Sequence, residues 1–174
     1  MKINSKAVLA VAVLSALSGT AAAEQFYVGA NITQMNFDEG DFEAKPANAS
    51  INAGYVLGQG VSAELRLGDS IASDDLNNVD AELEFKETVG LFVRAAVPET
   101  TTITPYALVG YSSINLGLSS STDEAEERDH DISYGFGVEY KATSDLSVGL
   151  EWMDFYRKDD TSVIGYSLTA RMGF

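Results

Sequence analysis

The chain has 174 residues, with 26 acidic against 11 basic side chains, a formal net charge of −15 and no cysteine. That balance excludes a nucleic-acid partner, which needs a basic surface, and leaves no role for disulfides. No stretch after Glu24 approaches the roughly 18 uninterrupted apolar residues of a membrane-spanning helix.

In chain order, the first element is a secretory signal. Lys2 and Lys6 precede an apolar run over 7–17, and Ala21, Ala22 and Ala23 offer a small-residue cleavage site before Glu24. The run is shorter than the roughly 20 residues a membrane anchor requires. Residues 1–23 are therefore expected to be cleaved, which removes two more positive charges and leaves one domain over 24–174.

That domain alternates with period two almost throughout, and period two means strands. Phe26, Val28, Ala30 and Ile32 alternate with Tyr27, Gly29, Asn31 and Thr33. Runs over 47–57, 61–68, 88–97 and 103–113 follow, the last less regular. Three more cover 132–140, 146–153 and 164–174. Eight strands are expected, joined by tight connections at 58–60, 98–100 and 142–145. The intervening connections are acidic: "NFDEGDFEAKP", "DSIASDDLNNVDA", "LSSSTDEAEERDHD" and "RKDDTS".

Eight alternating strands suit either a soluble barrel with its apolar face inward or a membrane barrel with that face on lipid. Glycine separates the two. Gly29, Gly54, Gly68, Gly90, Gly110, Gly135, Gly137, Gly149, Gly165 and Gly173 all fall on the polar parity. A water-facing surface has no use for such a ladder, because glycine is a poor strand residue. The inside of an eight-stranded barrel has room only for side chains and favours small ones. The polar face is therefore read as the lumen. Phe26, Tyr55, Tyr111, Tyr140, Trp152, Tyr166 and Phe174 lie on the other parity, mostly near strand ends, as aromatic girdles do. Closure also satisfies every backbone polar group without disulfides.

"FYVGA", "SAELRLG", "TPYALVGY", "SYGFGVEY", "LSVGLEW" and the terminal Phe174 resemble the small eight-stranded outer-membrane barrels of the OmpA/OmpX type, over all of 24–174. The resemblance implies an all-β, antiparallel, up-and-down transmembrane barrel in the bacterial outer membrane. It also implies that Phe174 belongs to a C-terminal signal read by the barrel assembly machinery.

On the lumen parity lie Glu64, Arg66, Arg94, Glu139, Glu151 and Arg171, with Glu82, Glu84 and Lys86 nearer the loops. Charges in so narrow a space must pair, and arginine can fork between carboxylates. Arg171 is expected to reach Glu139, Glu151 or Glu64. Such a network either plugs the barrel or gates small ions. Catalysis needs a nucleophile beside a base. The one histidine, His130, and Ser133 fall on opposite parities, so no catalytic residue and no cofactor is expected. In the acidic loops, Asp123, Glu124, Glu126 and Glu127 are weak candidates for holding Ca²⁺ or Mg²⁺. Their run lacks the spacing and glycine of a calcium-binding hand loop, and any capture would be alongside lipopolysaccharide phosphates. The reading is a monomeric, plugged barrel with a structural or surface-interaction role, membrane integrity or adhesion. A narrow porin-like ion channel is the alternative, and a lipid-modifying hydrolase stands third.

Overall fold

The computed structural model describes residues 25–39, 42–72, 74–75, 81–97, 102–120, 124–158 and 161–174. Within these, side chains 39, 42–43, 74–75, 81–86, 116–120, 124–129 and 158 lie outside the description. The leader over 1–23, the side chains of Asp123, Glu124, Glu126 and Glu127, and those of Glu82, Glu84 and Lys86 all fall outside the described residues.

Eight long strands follow the alternation: β1 (Phe26–Glu39), β3 (Ala47–Gly58), β4 (Val61–Ala72), β6 (Ala81–Ala96), β7 (Ile103–Ser120), β8 (Glu124–Lys141), β9 (Leu146–Lys158) and β10 (Thr161–Gly173). Two short pieces, β2 (Phe42–Ala44) and β5 (Asp74–Asp75), pair with β1 and β6. Each long strand is antiparallel to its neighbour, and β1 closes on β10 in register from Tyr27 opposite Gly173 to Glu39 opposite Thr161. The result is a closed eight-stranded barrel, which leaves no long edge unpaired.

The strands run further than the sequence reading allowed. β7 and β8 have 18 residues each, against about 9–11 needed to cross a bilayer. Segments expected as loops, 118–120 and 124–131, are paired within the β6–β7 and β7–β8 ladders, and His130 sits within β8 opposite Ser113. The physical reason is that ladder hydrogen bonds remain satisfied where β6, β7 and β8 go on pairing beyond the length a bilayer requires.

The faces follow the parity. Leu91, Ile132 and Leu168 are each more than 60 % exposed on the outside, whereas Tyr27, Asn31, Ser62, Ser133 and Met153 are buried within. The glycine ladder has a specific use in this packing. Tyr27 stands directly opposite Gly54, Tyr106 opposite Gly137, Phe92 opposite Gly110 and Met153 opposite Gly135. A Cβ on Gly54 would lie 2.0 Å from the Tyr27 ring, and one on Gly137 would lie 2.4 Å from that of Tyr106. Each bulky lumen side chain thus lies flat on the bare backbone across from it.

At the end of the barrel near the termini the two described turns, 58–60 and 142–145, are tight. Gln59 has φ 50° and Gly60 φ 80°, left-handed values that glycine tolerates best. A Cβ on Gly60 would also meet the Ala96 carbonyl at 2.2 Å. The β8–β9 turn closes through the amides of Ala142 and Thr143, which both donate to the Leu146 carbonyl.

Candidate functional site: the lumen and the β9 bulge

Alternation on β4, β6, β8, β9 and β10 aims six charged side chains into the lower half of the lumen. Arg66 donates through Nε to Glu64 at 2.5 Å and through both terminal nitrogens to Glu151 at 2.6 and 2.8 Å. The Tyr106 hydroxyl donates to the same Glu151 carboxylate at 2.9 Å. Arg94 lies over the Tyr106 ring, 4.0 Å from its centre, with Nη2 2.8 Å from Glu139 Oε2. Arg171 donates to that same oxygen at 2.5 Å and lies over the Tyr27 ring at 4.8 Å. The Tyr27 hydroxyl closes the circuit, donating to Glu64 at 2.6 Å.

The six charges and two tyrosines therefore form one ring of contacts: Glu64, Arg66, Glu151, Tyr106, Arg94, Glu139, Arg171, Tyr27 and back to Glu64. Three cations meet three anions, so the ring is neutral with these groups ionised. Each arginine also has an aromatic face, since Arg66 lies 5.2 Å from the Phe92 ring centre. Such contacts add cation–π attraction where water is excluded. Two spaces of about 10 and 20 Å³ border this network, each close to the volume one water occupies. Arg171 Nε, Asn52 Oδ1 and Thr169 Oγ1 line up beside the first as buried polar atoms without a protein partner, and Asn48 Nδ2 beside the second.

Sequence reasoning placed the charges on one parity but missed the tyrosines as members of the ring. The available signal was an aromatic residue on the polar parity with a glycine expected across from it. The reading of a polar lumen also needs correction at the loop end. There Met35, Phe37, Ile114, Met153, Phe155 and Val163 form a buried apolar cluster. Away from the charged ring, this cluster packs together with buried, hydrogen-bonded polar side chains such as Thr33, Ser112, Ser133 and Ser167.

The second feature is on the outer face. The β9–β10 register shifts so that Asp154 opposes Ile164 and Tyr156 opposes Val163, which leaves Phe155 as an extra residue. In a regular strand Asp154 and Arg157, three apart, point to opposite faces. The bulge places both outside, while Phe155 and Tyr156 turn toward the apolar cluster. Asp154 is paired with outward-facing Tyr134 in β8 and yet is only 2 % exposed. The Tyr134 hydroxyl donates to Asp154 Oδ2 at 3.0 Å, and Arg157 reaches the same oxygen through Nε at 3.0 Å and Nη2 at 2.8 Å. The Arg157 side chain itself remains 64 % exposed. Period-two reading cannot see one inserted residue, so this cluster was not anticipated.

Among the described residues, neither Ser133 nor His130 meets a catalytic partner. Ser133 is buried in the lumen against the Ser112 hydroxyl and donates to the Phe155 carbonyl at 2.9 Å. His130 is exposed, its ring 5.8 Å from that of Tyr111. Phe174 lies exposed beside β1, its amide donating to the Phe26 carbonyl at 3.3 Å.

Comparison with known proteins agrees with this architecture. A family model described as "Outer membrane protein beta-barrel domain" matches residues 7–173. No curated protein sequence matches the chain. Among solved structures, Ail, the attachment invasion locus protein of Yersinia pestis, superposes with a TM-score of 0.65 at 13% identity, covering 87% of this chain and 99% of its own. It has also been solved in complex with the heparin analogue sucrose octasulfate. Neisserial surface protein A gives 0.63 at 16% identity over 86% and 97% of the two chains. The outer membrane protein OprG of Pseudomonas aeruginosa gives 0.64 at 11% identity over 88% and 97%. At these identities the likeness is one of fold.

Proposed function

The chain belongs to the outer membrane protein β-barrel family and lies in the bacterial outer membrane, and we propose that it acts there as a plugged monomer whose role is exercised at the cell surface. The observation that carries this reading is the closed ring through Glu64, Arg66, Glu151, Arg94, Glu139 and Arg171, beside spaces of only about 10 and 20 Å³. A hydrated ion needs several water volumes. To pass, it would have to break ion pairs whose separation in a low-dielectric interior costs several kcal/mol.

With the lumen closed, what remains for contact is the outer surface. The segments 38–43, 74–80, 123–131 and 159–160, at the end of the barrel away from the termini, are acidic in sequence. The complex of Yersinia Ail with a sulfated saccharide supports recognition of surface molecules by barrels of this shape. The acidic charge here favours cationic partners, or lipopolysaccharide phosphates bridged by Ca²⁺ or Mg²⁺, in membrane integrity or adhesion. Catalysis has no support from the positions of His130 and Ser133. Phe174 is assigned to recognition by the barrel assembly machinery, and residues 1–23 to export.

Planar-bilayer recording of the purified protein tests the plug. We expect no discrete openings from the wild type. Reproducible unitary steps would refute the reading and favour a narrow ion channel.

A further inference from the structure

We infer that Arg157, held outward by Asp154 and Tyr134 at the β9 bulge, binds a phosphate of lipid A whose acyl chains lie along the adjoining apolar groove. The proposal deepens the surface role above and rests on it. It differs in that no divalent cation takes part.

Three observations meet at this place. First, the bulge turns an arginine onto the outer face of a strongly acidic protein. Asp154 takes its Nε and Nη2, which fixes the guanidinium plane and leaves Nη1 to point elsewhere. A guanidinium fixed in this way is suited to a phosphate oxygen. Second, Asp154 is an outward-parity carboxylate only 2 % exposed, and a charge so buried must be paired, which ties it to Arg157. Here it orients Arg157, with the Tyr134 hydroxyl as its other donor.

Third, the Tyr134 ring lies 6.0 Å from that of Trp152. Trp152 forms one wall of a groove of about 450 Å³ that crosses the outer face past Phe136, Leu150, Tyr166, Leu168 and Ile32. The groove is apolar, as acyl chains require, and a cation stands above it along β9. This end of the barrel is remote from both termini, and outer-membrane barrels turn their longer loops outward there. The phosphorylated lipid of that leaflet is lipid A. An acidic rim would repel its phosphates at every place without such a cation.

The test uses the purified full-length barrel in detergent with EDTA present, read by native mass spectrometry. Three lipids are compared: bis-phosphorylated hexa-acyl lipid A, the same lipid lacking both phosphates, and phosphatidylglycerol. The expected result is that lipid A is held about tenfold more tightly than its dephosphorylated form. Arg157→Ala should remove that ratio, Arg157→Lys should retain part of it, and Trp152→Ala should weaken both lipid A forms alike. Asp154→Asn should lower the phosphate preference without changing the affinity for the dephosphorylated lipid, which marks Asp154 as a positioning residue.

The wild-type comparison needs no variant, so the test stands even where one fails to fold. No phosphate preference in the wild type, or an unchanged preference in Arg157→Ala, would overturn the inference. So would equal retention of phosphatidylglycerol. Phosphate-dependent binding that appears with Mg²⁺ and vanishes in EDTA would assign recognition to the acidic loops and not to Arg157, leaving the surface role intact.

Discussion

Arg66→Met is the sharpest probe of the lumen. The substitution keeps roughly the volume of the side chain and removes the guanidinium. Three charge-assisted hydrogen bonds are lost, one to Glu64 at 2.5 Å and two to Glu151 at 2.6 and 2.8 Å. Glu64 keeps the Tyr27 hydroxyl and Glu151 keeps that of Tyr106, but neither keeps its cation. Both carboxylates belong to residues no more than 4 % exposed, so water cannot take the place of the arginine. Removing one member of a buried ion pair costs about 3–5 kcal/mol, and the two hydroxyl donors place this case toward the lower end.

The assay is urea unfolding of the barrel refolded in lipid vesicles, followed by the fluorescence of Trp152. As the one tryptophan of the chain, Trp152 reports on the membrane face without touching the lumen. A companion variant carrying Glu64→Gln and Glu151→Gln beside Arg66→Met should recover most of the loss, because a neutral, well-packed replacement of buried ions is often tolerated. A loss below about 1 kcal/mol for the single variant, the range of exposed pairs, would refute the reasoning. It would mean that water already reaches these charges and that the lumen is open.

Other expectations follow from the same geometry. Gly54→Ala should displace the Tyr27 ring, break its bond to Glu64 and destabilise the barrel by about 1–3 kcal/mol, measured by the same unfolding. Arg171→Ala should cost less than Arg66→Met, because Glu139 keeps Arg94 2.8 Å away; a larger loss would contradict the shared-carboxylate arrangement. Deleting Phe174, whose side chain is exposed, should lower the amount of folded barrel in the outer membrane while leaving the urea midpoint of purified protein unchanged. A shifted midpoint would make it a packing residue instead. Arg66→Ala, which also removes the volume that methionine retains, is expected to produce bilayer conductance, and persistent silence would place the seal in the apolar cluster around Met35 and Phe155.

The strand faces were legible in the sequence because a barrel with two chemically distinct sides writes its parity into every strand. Leu91 and Leu168 outside, Tyr27 and Glu64 inside, all follow from counting by two. What counting cannot supply is which charges meet. Arg171 had three candidate carboxylates on its own face, and the choice of Glu139 depends on how far each strand is staggered around the barrel. The strand ends were also hidden, since β7 and β8 go on pairing through the charged stretch 124–131, where no apolar alternation marks a strand. The bulge at Phe155 defeats the count altogether. From that residue onward the parity of β9 is reversed, so Arg157 lies outside where alternation would have turned it inward. The apolar cluster was missed for a related reason: Met35, Phe37 and Val163 lie beyond the predicted runs of their strands.

The pairing of bulky lumen side chains with glycines bears on how the barrel finds its register as it assembles. A slip of one residue turns every side chain to the wrong face, and the hydrophobic pattern rejects it. A slip of two preserves all faces, and the hydrophobic pattern is blind to it. Such a slip would bring Tyr27 opposite Asn52 or Val56 in place of Gly54, and Tyr106 opposite Gly135 or Glu139 in place of Gly137. At the first hairpin no side chain other than glycine leaves room for the ring. Tyr27 and Gly54 thus act as a proofreading pair, distinguishing the native alignment from the even-numbered errors that alternation alone would accept.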